Sequence, residues 1–163
     1  MGSRVRDISH FMRDVFKTAQ SSKNCEKLLR DVHFKTANNG YCSAELTLSE
    51  RHLNEDGILN SRIIANLIER MTTFALMSYN NKICGNTINT NIQFLSPVDL
   101  DSNLIIDSHV LKVNDPVGHV ESQLWTNEGR LIALGQSIKY LKNIPAPEDK
   151  KRKRTIRIVQ SNF

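Results

Sequence analysis

Residues 61–79 read SRIIANLIERMTTFALMSY, and the spacing of their apolar side chains decides the fold. Ile63, Ile64, Leu67, Ile68, Met71, Phe74, Ala75 and Met77 recur at i, i+3 and i+4, which predicts a helix from about Arg62 to Tyr79. Ser61 stands where an N-cap is wanted and Asn80-Asn81 where the helix should stop. The apolar stripe is broad, so the helix is expected to be buried on more than one side, at the centre of the domain.

The flanks supply what would bury it. After the turn signal Asn38-Asn39-Gly40, Cys42, Ala44, Leu46 and Leu48 alternate with polar residues, the mark of a half-buried strand. His52 to Asn60 reads as a loop. Beyond the helix, four strands are expected at Thr87–Leu95, Leu104–Val113, Gly118–Thr126 and Leu131–Leu141, closed by Ser96-Pro97, Asn114-Asp115-Pro116 and Asn127-Glu128-Gly129. One strand, a long helix and four more strands is an α+β order, an antiparallel sheet wrapped around the helix, without the parallel crossovers of a nucleotide fold. Upstream, Ile8, Phe11, Met12, Val15 and Phe16 mark an amphipathic helix over Asp7–Gln20. A packed helix is preferred to a mitochondrial presequence, because Asp7 and Asp14 are unusual in such peptides. Cys25–Asp31 is read as a short helical turn.

The 163 residues carry 22 Lys and Arg against 17 Asp and Glu, a formal +5 and a pI near 9.2. Six of those cations and two of the anions lie in residues 143–163, which leaves the body at 16 against 15. A body so close to neutral lacks the basic face that phosphate neutralisation needs. The chain therefore divides into an N-terminal helical segment, 1–32, a domain, 33–142, and a basic tail, 143–163. Lys150, Lys151, Arg152, Lys153 and Arg154 form a run that suits a nuclear localisation signal or contact with a protein or nucleic-acid partner, and reads equally well as a solvated basic extension. Cytoplasm, nucleus or both is the expected compartment, the mitochondrion the alternative. Three scattered cysteines without a C-x-x-C pair suit a reducing compartment and argue against zinc. No apolar run approaches the length of a membrane span.

The usual nucleophile and phosphate-loop motifs are absent. His10, His33, His52, His109 and His119 show no metal-ligand spacing and read as surface or strand residues. The loop entering the helix and the carboxylate inside it remain. A helix N-terminus presents unpaired N–H groups that can hold a developing oxyanion, and Asn54 adds a polar side chain there. Glu69 interrupts the apolar stripe, with Thr73 one turn beyond it. Glu69 reads either as a general base or as the polar edge of the helix.

These residues carry a resemblance. The loop H-x-N-x-x-G-x-L over 52–59, the strand T-x-N-x-N-I-Q-F-L-S-P over 87–97 and the ending G-Q-S-I-K-Y-L-K over 135–142 resemble the hotdog-fold acyl-CoA thioesterases, in the acyl-CoA thioesterase 13 or PaaI-like group, across about Phe34 to Asn143. The resemblance implies a hotdog fold, a homodimer or dimer of dimers with sites at the subunit interface, and hydrolysis of acyl-CoA with no cofactor or metal, CoA entering as part of the substrate. It implies roles as well. Asn54 positions the thioester carbonyl, Gly57 matches the loop glycine, Glu69 matches the carboxylate that acts as nucleophile or base, Thr73 matches a threonine one turn later, and Thr87 stands for a serine that orients water. The sequence departs from the family at Asn60-Ser61-Arg62, where the pattern reads His-Gly-Gly. Ser61 keeps a backbone N–H for the oxyanion, Asn60 does not titrate, and Arg62 either meets a CoA phosphate or fills the site. Reduced turnover is expected. The alternative is a catalytically inactive hotdog homodimer serving as an interaction or scaffold module.

Overall fold

A helix that is apolar around most of its circumference has to be enclosed, and here six strands enclose it. The computed structural model of the chain describes residues 3–21, 27–79, 83–100 and 102–142. The elements run α1 (Ser3–Ser21), β1 (Val32–Asn38), β2 (Tyr41–Thr47), α2 (Ser61–Ser78), β3 (Ile83–Phe94), β4 (Asn103–Asn114), β5 (Val117–Thr126) and β6 (Leu131–Lys142). The strands form one sheet in the order β1-β2-β4-β5-β6-β3, every neighbouring pair antiparallel. This is the α+β arrangement expected from the sequence.

Leu67, Ile68, Met71, Phe74 and Ala75 of α2 are wholly buried, against Ala44, Leu104, Ile106, Leu124 and Ala133 of the sheet among others. Truncating such a side chain leaves a cavity, and Phe74→Ala would cost about 3–5 kcal/mol. The sheet approaches so closely that two strand positions have no room for a side chain. A Cβ on Gly135 would lie 2.3 Å from Cγ2 of Ile68, and one on Gly118 would lie 2.7 Å from Cδ1 of Leu76. Polar groups on this inner side are paired: the Thr72 hydroxyl donates to the Ile68 carbonyl at 2.8 Å, and Ser108 donates to Ser122 at 2.7 Å.

Helix α1 joins the same core. Met12, Val15, Phe16 and Ala19 are buried, and the Phe16 ring lies 5.0 Å from that of Phe34 and 5.3 Å from that of Phe74. Among the described residues no helix is long and apolar enough to cross a membrane. The basic run Lys150, Lys151, Arg152, Lys153 and Arg154, the stop at Asn80-Asn81 and the residues 22–26 lie outside the described residues.

Two expectations need correction. There are two strands before α2 and not one, because β1 does not alternate: its register shifts between Phe34 and Thr36, so Lys35 is an extra residue and the apolar positions Val32, Phe34 and Ala37 fall out of period two. The N-cap of α2 is Asn60 and not Ser61; the Asn60 side chain accepts from Arg62 N–H, so the helix starts one residue earlier than its apolar pattern does.

The close approach of sheet to helix gives a direct test. Gly135→Ala should destabilise the protein by about 1–3 kcal/mol in urea unfolding, since the new methyl meets Ile68. In an Ile68→Ala background, which lacks the Cγ2 that the methyl would meet, Gly135→Ala should cost less, and an unchanged midpoint for Gly135→Ala in the wild type would contradict the packing.

Candidate active site

The loop before α2 is built by its own side chains. The Asn54 side-chain oxygen accepts from the backbone N–H of Asp56 and of Ile58, each at 3.0 Å, an Asx turn. Gly57 closes it at φ +73, with its N–H on the Asn54 carbonyl at 3.1 Å. No neighbour crowds Gly57, so its glycine is required by the left-handed backbone. The Asn54 oxygen is thereby committed to the turn, and the residue is exposed.

A buried histidine ties this loop down. His52 is 2% exposed, not the surface or strand residue read from the sequence. The Ser49 N–H donates to His52 Nδ1 at 3.0 Å, which makes Nδ1 the acceptor and assigns the ring proton to Nε2, 3.0 Å from Asp31 Oδ2. Arg51 pairs with the same carboxylate. The His52 carbonyl then receives the Asn60 N–H at 2.9 Å, fixing the start of α2. Asn60 caps the helix through its side-chain oxygen, 2.9 Å from the Arg62 nitrogen. The Ser61 N–H is given no acceptor among the described residues, and the Ser61 and Arg62 side chains are exposed. The helix therefore offers a free N–H at the positive end of its dipole, beside a cation.

Two turns further along α2, Glu69 meets the sheet. Its Oε1 accepts from Lys139 Nζ at 2.7 Å and from the Thr87 hydroxyl at 2.5 Å, and its Oε2 from the Thr90 hydroxyl at 3.3 Å. Lys139 also donates to Thr87 Oγ1 at 3.0 Å, and Thr90 lies 3.1 Å from Ser137 Oγ. Thr87 and Lys139 are directly opposed on β3 and β6, and the register shifts on both sides of Thr87. Irregularities of this kind re-aim a side chain. The Lys139 side chain is 0% exposed and that of Glu69 is 36% exposed, so the carboxylate sits at the rim with its cation behind it.

The residues expected from the sequence thus fall into two groups. Asn54, Gly57, Asn60, Ser61 and Arg62 gather at the start of α2; Glu69 and Thr87 meet beside β3. Thr73 lies next to the second group, but its hydroxyl donates to the Glu69 backbone carbonyl at 2.8 Å and not to the carboxylate. Eight residues of helix separate Ser61 from Glu69, about 12 Å of axial rise. Lys139, Thr90 and Ser137 escaped the sequence reading. The signal was present in β6, where Ala133, Gly135, Ser137, Lys139 and Leu141 share one buried face: a lysine in that row needs a buried partner. Cys42 is also buried on the inner side, and burial pushes its thiol well above the ordinary range, so it is no nucleophile at neutral pH.

The family model of the thioesterase superfamily matches residues 56–133. Human acyl-coenzyme A thioesterase 13 is 31% identical over 141 residues, 85% of this chain and all of that protein. The crystal structure of zebrafish thioesterase superfamily member 2 superposes with a TM-score of 0.75 at 24% identity, covering 79% of this chain and 94% of that one. A thioesterase protein from Streptococcus pneumoniae, crystallised with coenzyme A, gives 0.70 at 16% identity, over 83% of this chain and 99% of that one.

The cap is open to measurement. Asn60→Ala should cost about 1 kcal/mol in denaturant unfolding and Asn60→Asp almost nothing; equal losses would show that the side-chain oxygen is not what holds the helix start.

Proposed function

The chain belongs to the thioesterase superfamily, in its acyl-CoA thioesterase 13 group, and we propose that it hydrolyses fatty acyl-CoA to free acid and CoA at sites shared between two copies of the chain. The observation that carries this reading is the carboxylate of Glu69, held at the rim of the core by a buried lysine and a threonine. A carboxylate fixed in this way can take a proton from water. The human relative named above is an acyl-coenzyme A thioesterase, and the hypothetical thioesterase protein from Streptococcus pneumoniae was crystallised with coenzyme A.

In the proposed reaction, water adds to the thioester carbonyl carbon while Glu69 takes its proton. The oxyanion is held by the Ser61 N–H and the side-chain amide of Asn54. The C–S bond then breaks, and the departing CoA thiolate recovers the proton from Glu69. Arg62, an exposed cation at the same helix end, suits a CoA phosphate.

One copy does not bring these parts to one carbonyl, since roughly 12 Å of helix separates Ser61 from Glu69. A second copy resolves the problem. Strand β3 lies at an edge of the sheet, next to β6 alone among the described residues, and Ile88 and Phe94 on it and Leu95 just beyond it are 58%, 53% and 49% exposed. An edge with unpaired backbone groups and exposed apolar side chains among its polar ones invites a partner strand. Twofold pairing there sets the helix start of one copy toward Glu69 of the other. Turnover is proposed to be slower than in relatives with the full His-Gly-Gly pattern, because Asn60 has no titrating group.

Hydrolysis of medium- and long-chain acyl-CoA by the purified protein tests this. Glu69→Gln should lower kcat by about 10²–10⁴. Ser61→Pro should lower it by about 10²–10³ with little change in melting temperature, because proline is tolerated at the first helical position and removes only the N–H. Wild type turning over no faster than Glu69→Gln would sink the catalytic reading and favour the inactive scaffold.

A further inference from the structure

We propose that Lys139 is a positioning residue that locks Glu69 by one carboxylate oxygen and leaves the other for the attacking water; this rests on the reading of Glu69 as base. An ammonium has three N–H donors. Lys139 Nζ has three acceptors: Glu69 Oε1 at 2.7 Å, Thr87 Oγ1 at 3.0 Å and the Glu69 backbone carbonyl at 3.4 Å. No donor is left over for substrate, so Lys139 acts through Glu69 and not on the thioester.

The carboxylate is loaded unequally. Oε1 receives Lys139 and the Thr87 hydroxyl, whereas Oε2 receives, among the described residues, only Thr90, at 3.3 Å, from a hydroxyl that also meets Ser137. Oε1 is the anchor and Oε2 the working oxygen. The arrangement also commits the Thr87 proton to Oε1, so Thr87 reaches water only as an acceptor. Burying an ammonium is costly unless it is paired and hydrogen-bonded, and every contact that compensates Lys139 converges on Glu69 and Thr87. Arginine is a poor replacement: its planar fork of five donors does not fit a pocket that matches three.

Lys139→Ala and Lys139→Met should lower kcat on acyl-CoA by about a hundredfold, the scale of a misplaced catalytic group, with KM unchanged. Lys139→Arg should fail to restore it. Ethylammonium or propylammonium added to Lys139→Ala should raise kcat saturably and leave Glu69→Gln unaffected, which a merely structural lysine would not produce. In the wild type, nitrogen-15 NMR of lysine Nζ groups should reveal one ammonium shielded from hydrogen exchange, and its signal should move in Glu69→Gln. Wild-type kcat in folded Lys139→Ala, no response to amines, or no shielded ammonium would each overturn the proposal. If Glu69→Gln is itself fully active, the base reading fails; if Glu69→Gln is dead while Lys139→Ala is fully active, only the role of Lys139 fails.

Discussion

The close approach of the sheet to α2 is the constraint on which the rest depends. Two glycines, at 135 and 118, stand where any side chain would collide with Ile68 or Leu76, so the helix lies in the sheet without space for water between them. Polar groups in that contact have to find protein partners. Thr72 turns back on its own helix, Ser108 pairs with Ser122, and Lys139 is tolerated because Glu69 comes out of the helix to meet it. The carboxylate is thereby fixed at the rim of the core, with its position set by packing on one side and open on the other.

Much of this was legible in the sequence, for reasons that particular residues show. The period of Ile64, Leu67, Ile68, Met71 and Phe74 reports a helix buried on more than one side, and Ala65, Asn66, Glu69, Arg70 and Thr73 form the face left partly exposed. Strands β2 and β4 to β6 alternate because each has one face on the helix. Strand β1 was not legible because the bulge at Lys35 breaks the alternation that identifies a strand. Asn60 was passed over as the cap because Ser61 is an equally good one by composition; only the backbone decides between neighbours.

The site was half legible. Glu69 stood out as a charge within an apolar stretch, but its partner is 70 residues away, and no local pattern joins them. His52 had the look of a loop residue, whereas its ring carries the connection from Asp31 to the start of α2. The backbone at that helix start is usable: Asn60 caps it, Ser61 keeps an N–H without an acceptor among the described residues, and Arg62 is exposed.

The central claim is that the helix start of one copy and the Glu69 of another make one site. Mixing subunits tests it most directly. Glu69→Gln and Ser61→Pro, each close to inactive alone, are unfolded or dissociated together and allowed to reassort at equal concentration. A shared site leaves each mixed pair with one centre carrying both lesions and one intact centre, so random reassortment should restore about a quarter of the wild-type rate. Activity no greater than the mean of the two separate variants, in mixed pairs shown to have formed, would contradict the account.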